Sequence, residues 1–118
     1  MMDRLIKLEK EKKITIPEIF KDFFKSYTTS VPKNLVGTDL WNNKRDFNED
    51  AAALLKEDKV DNFLLDTDFV FMIHQGYIFW YFNADGNPDP TVCAYHEGKL
   101  KPDNLGPLSK FIEIHTRD

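Results

Sequence analysis

The sequence predicts an α+β fold: one domain over residues 1–118, with a central, mostly antiparallel sheet (a meander over 69–96) flanked by N-terminal and C-terminal helices. Three observations predict it. Two runs rich in aromatic and β-branched residues, Phe69–Ile73 and Tyr77–Phe82, flank His74-Gln75-Gly76, the pattern of paired strands around a tight turn. Apolar residues recur at helical spacing on both sides of that block. The chain of 118 residues is 42% hydrophobic and 31% charged, enough for one globular core and too short for two ordinary domains.

Each element has a local reason. A first helix is expected near residues 2–12, with Leu5, Ile6 and Leu8 inward. Thr15-Ile16-Pro17-Glu18 has the form of a capping box, with Pro17 in the first turn where a missing N–H costs nothing. Ile16, Phe20, Phe23, Phe24 and Tyr27 then give a helix over 16–27 its apolar face. Residues 31–46 hold Pro32, Gly37 and several Asn. They predict a loop, with a short element at Leu40-Trp41. Asn48 is the expected cap of a helix running to Glu57, with Ala51, Leu54 and Leu55 inward. Asn62–Leu65 predicts a short strand or turn.

In the first long strand, Phe69, Phe71 and Ile73 are assigned to one face and Val70 and Met72 to the other. Both faces are apolar, so the strand is expected to be central and covered on both sides. A turn at 85–90 leads to a third strand, Thr91–His96, closed by Glu97-Gly98. A polar loop then leads to Pro107. Leu108, Phe111, Ile112 and His115 predict a closing helix.

Charge is uneven. Residues 1–45 carry ten basic and six acidic side chains, residues 46–98 two and eleven, and residues 99–118 four and three. No Lys or Arg occurs from Val60 to Gly98, so the acidity is concentrated in the middle of the chain. Seven of sixteen aromatic residues lie within 69–82 with no basic residue among them. A base-stacking platform needs cations beside its rings, so nucleic acid is not an expected partner. The longest stretch free of Asp, Glu, Lys and Arg is the sixteen residues from Phe69 to Ala84, too short to span a bilayer as a helix. Residues 1–13 lack the apolar h-region of a secretory signal. The expectation is a cytoplasmic domain.

Candidate chemistry is sparse. Asn83–Asp89 superficially suggests a calcium loop, but an EF-hand register through Gly86 would need carboxylates at Tyr81 and Val92. An Asx/Gly/Pro turn accounts for it better. Cys93 and His96 are three apart in a strand and face opposite sides, so neither a zinc site nor a nucleophile pair is expected. Cys93 is the only cysteine, which also rules out an internal disulfide. No phosphate loop, HExxH, GxSxG or GxGxxG is present. No metal, cofactor or catalytic activity is expected.

Ile16-Pro17 before an aromatic helix resembles the opening of domains of the SUKH superfamily. The segment Phe71–Phe82, then an Asp/Gly/Pro turn, Pro90-Thr91-Val92, the strand ending at Glu97-Gly98 and the Leu108–Ile112 helix are similar to a bacterial branch of it. The likeness spans residues 14–115; the His-Gln-Gly-Tyr segment is its most specific part, and 28–68 match weakly. The resemblance implies an α+β binding protein without catalysis, in that branch an immunity protein that neutralises a cognate toxin, often a nuclease. A second branch, similar to a fungal cell-wall-synthesis regulator, implies the alternative of a constitutive adaptor. The expected partner is a basic toxin domain, met by a monomer or weak dimer. Its expected contacts are the loop carboxylates Asp61, Asp66, Asp68, Asp85 and Asp89, with Trp41 as an aromatic anchor. Charge reversal at Asp85 and Asp89 is expected to weaken binding and leave folding intact.

Overall fold

The computed structural model describes residues 2–29, 37–42 and 44–116. They form α1 (Met2–Lys12), α2 (Glu18–Thr29), β1 (Asp39–Leu40), α3 (Phe47–Glu57), β2 (Asp68–His74), β3 (Ile78–Asn83), β4 (Thr91–His96), β5 (Asp103–Pro107) and α4 (Leu108–Thr116). The strands make one antiparallel sheet in chain order, β1-β2-β3-β4-β5. This is the α+β meander flanked by helices that the sequence predicts. Part of the expected 31–46 loop, residues 31–36 and 43, lies outside the described residues.

The β2–β3 turn works through its backbone. Gln75 and Gly76 have φ of 50° and 80°, and Tyr77 N–H donates to the His74 carbonyl at 3.2 Å. Two left-handed residues in succession match the twist of the flanking strands. Every residue of β2 from Asp68 to Ile73 is buried, as expected for a strand covered on both sides.

The two covers are chemically distinct. Phe20 of α2 meets Phe69, Phe71 and Phe82, each at 5.5 Å between ring centroids. Phe111 of α4 closes the same side edge-on to Phe71 at 5.6 Å. On the opposite side Phe63 packs on Phe79, Tyr81 and Tyr95, and α3 lies alongside. Edge-to-face rings at these separations add attraction beyond the area they bury.

A bulge corrects the expected faces of β2. The register shifts between Val70 and Met72, so that Met72 opposes Trp80 and Ile73 opposes Phe79. Directly opposed residues share a face, so Ile73 lies with Phe79 on the α3 side rather than with Phe69 and Phe71. The extra residue, Phe71, is unpaired with β3 but supplies its carbonyl to Trp41 N–H at 2.7 Å. A bulge inserts one residue and re-aims the side chains beyond it; strict alternation cannot anticipate it.

Three local expectations also change. Thr15 N–H is taken by the Ala84 carbonyl at 2.9 Å, so Glu18 cannot close the capping box on it. The helix begins at Glu18, and Glu18 meets Lys21 instead. Glu9 of α1 accepts Ile16 N–H at 2.7 Å and meets Lys21 Nζ at 3.0 Å, tying α1 to α2. The cap of α3 is Asp46, which accepts from Glu49 N–H. Asn48 is thereby free, and it binds the β2 backbone: its amide donates to the Asp68 carbonyl and accepts from Val70 N–H, at 2.8 and 3.0 Å. Of the short strand or turn expected at 62–65 the structure has the turn, in which Asn62 accepts Leu64 N–H. The expected polar loop before Pro107 contains β5, which pairs with β4. Its residues are largely exposed, so no apolar alternation marks it.

Candidate functional site

The carboxylates of the acidic segment are expected on loops, and the structure divides them. Asp61, Asp66 and Asp85 are exposed. Ala84 N–H donates to the Thr67 carbonyl at 2.8 Å, which brings Asp66 and Asp85 to one end of the sheet. Asp61 follows α3 in the chain, two residues before Phe63.

Asp89 is exposed but engaged. It accepts from Ser109 N–H at 2.8 Å and from the Ser109 hydroxyl at 2.7 Å. Ser109 is the second residue of α4, and the residue before the helix is Pro107, which carries no acceptor side chain. Asp89 thus caps α4 from a different loop, and its charge sits at the favourable end of the helix dipole. Reversing it is expected to cost folding stability, contrary to the sequence-based expectation of an intact fold.

Asp68 and Trp41 are corrections. Asp68 is not a loop residue: it opens β2 and is only 7% exposed. Its carboxylate accepts from Leu65 N–H at 2.8 Å and from the Asn83 amide at 2.9 Å, so burial is offset by hydrogen bonds and the group is withdrawn from the surface. Trp41 is 8% exposed, with its ring against Phe24 and Phe69. It serves its own core.

Sequence reasoning missed a cleft of about 410 Å³ between α3 and the end of the sheet that carries the β2–β3 turn. Ala53, Leu54, Ile73 and Phe79 form its apolar floor, and Asp39, Asp50 and Glu57 stand on its rim. Arg45 bridges two of these, reaching Asp50 at 2.9 Å and Asp39 at 3.3 Å, and lies 4.9 Å over the Phe47 ring. The signal was present in the sequence: positions 50, 53, 54 and 57 follow the i, i+3, i+4, i+7 stripe of one helix face. Two acids bracket two apolar residues on it. The β1 carboxylate and Arg45 carried no such pattern.

Titratable groups elsewhere are tied into the fold. Tyr95 O–H donates to Asp58 at 2.6 Å, and Gly98 N–H donates to the same carboxyl at 2.9 Å. These two bonds, the tyrosine's first, hold the Asp58 carboxyl below its usual range. Burial, and then Asp58, push the Tyr95 hydroxyl up to about 12. Burial raises the Cys93 thiol despite the neighbouring Tyr81 hydroxyl, which disfavours a nucleophilic thiolate. Cys93 opposes Tyr81 and His96 opposes Ile78, so the two side chains point to opposite faces. His74 sits beside the turn, its Nδ1 3.0 Å from the Thr38 hydroxyl.

Among the described residues, no group of three His, Cys, Asp or Glu is placed to hold a metal ion, and no helix is long and apolar enough to cross a membrane. The arrangement offers carboxylate-rich surface and a shallow amphipathic cleft, both suited to recognition. Comparison with family models, curated proteins and solved structures finds no match to this chain.

Proposed function

We propose that this chain is a non-catalytic binding protein of the bacterial immunity type. In this reading it acts in the cytoplasm, where it neutralises a cognate toxin by covering a basic active site or substrate groove. One observation carries the reading. Of the eleven carboxylates between Asp46 and Glu97, all but Asp58 and Asp68 are exposed, and among the described residues only Asp50 of these nine meets a cation. Such a surface raises the encounter rate with a basic partner and repels acidic ones. It also resembles in charge the phosphate backbone that a nuclease groove receives. The likeness to SUKH domains, strongest at His74-Gln75-Gly76-Tyr77, supports the same role.

The test begins with the gene's neighbours. A small basic domain encoded beside it is expressed alone and together with this chain. Expected are growth arrest by the domain alone, rescue by co-expression, and co-elution of the two proteins. The association rate should fall as ionic strength rises, because exposed charges are screened over about 10 Å at 0.1 M salt. A toxic neighbour whose lethality this chain leaves unchanged, with no complex formed, would sink the proposal.

A further inference from the structure

We propose that the cleft beside α3 is the seat for a lysine or arginine side chain of a basic protein partner, an inference that rests on the binding role above and gives it a location. The floor of Ala53, Leu54, Ile73 and Phe79 is apolar, and three carboxylates stand above it against one guanidinium. Arg45 already holds Asp39 and Asp50. Glu57 meets no cation among the described residues, so the unneutralised charge lies at the C-terminal end of α3, on a cleft that Gly76 also lines. Asp50 and Glu57 are seven residues apart, about 10 Å along the helix. A long alkyl stem can therefore lie on the floor while its cationic head reaches Glu57, the way such side chains divide themselves between apolar surface and water.

The alternatives fit less well. An anionic ligand would meet the carboxylate excess. A purely apolar segment would bury Glu57 without a partner, which is costly. The rim is also fixed in advance: Arg45 is held by two carboxylates and stacked on Phe47. A pre-organised site loses less ordering entropy when it is filled.

The experiment uses the whole chain, isotope-labelled for amide NMR, and octalysine as the cationic probe at low salt, with octaglutamate as the counter-probe. Shifts are expected to concentrate at residues 53–57 and 76–79 and to saturate. Glu57→Lys should weaken octalysine binding about fivefold, whereas Asp85→Lys, an equal change of charge at the other end of the sheet, should change it less than about twofold. Shifts centred on Asp66 and Asp85, shifts spread evenly over every carboxylate, equal effects of the two substitutions, binding of octaglutamate in the cleft, or no octalysine binding would each overturn the assignment. Because this test needs no toxin, its failure leaves neutralisation standing with the contact elsewhere. Failure of neutralisation alone leaves the cleft's selectivity for cations intact.

Discussion

Asp58 shows how one side chain can join distant parts of the chain. It ends α3, yet its carboxyl receives the Tyr95 hydroxyl of β4 and the Gly98 amide of the following turn. Both donors favour the ionised form, so its pKa is lowered from 3.8. An unfolded chain therefore binds a proton there before the folded one does, and stability falls as pH drops below about 4. Asp58→Asn removes that titration: its stability difference from wild type, measured by urea unfolding, should shrink steadily between pH 5 and pH 2 (roughly the range over which such carboxyls protonate). A constant difference would show that the carboxyl's charge adds nothing. The Tyr95 hydroxyl has the opposite sense. Raised to about 12, it contributes stability that is lost as pH climbs from about 10 through 12.

At this scale the sequence was only partly legible. It marks Asp61 and Asp68 alike as loop carboxylates, and only the fold distinguishes the exposed one from the buried strand residue. Asn48 is the sharpest case. Its type suits a cap, but Asp46 takes that role, and the amide instead satisfies two backbone groups of β2. Trp41, a reasonable anchor by residue type, is held by the rings of Phe24 and Phe69, contacts that sequence spacing does not encode.

Among elements, α4 depends on a residue outside itself. Asp89→Ala should destabilise the protein by about 0.5–2 kcal/mol, the usual worth of a helix cap, while Asp85→Ala should lie within about 0.5 kcal/mol of wild type. Urea midpoints at constant m-value check the pair, and equal midpoints would remove the capping role. Loss of toxin binding in an Asp89 variant is therefore to be compared with its loss of stability before that residue is placed in an interface. Elements with strong periodicity, α2, α3 and the β2–β3–β4 meander, were legible because burial alone sets their pattern. The start of α2 was misplaced because a tertiary bond, Thr15 to Ala84, displaced a local one. β5 was missed because an edge strand exposed along its length carries no hydrophobic signature. The acid-rimmed stripe of α3 could have been found by drawing the helix, since four residues of one face held it.

For the whole molecule, chain order and sheet order coincide, so most strand pairing is between neighbours in sequence. Pairings that close short loops form early, and long-range docking comes later. Conservative truncations in the meander, such as Ile78→Val, should give φ-values above about 0.5, and Ile112→Val in α4 values near zero. The two limbs of a denaturant chevron measure both, and a reversed order would place nucleation in the helices. Phe111 meeting Phe71 has a further consequence. Until α4 docks, the ring of Phe71 has the cover of Phe20 and lacks that of Phe111. A folding intermediate without α4 therefore presents part of the aromatic face to water, the kind of surface that chaperones bind and that aggregation exploits.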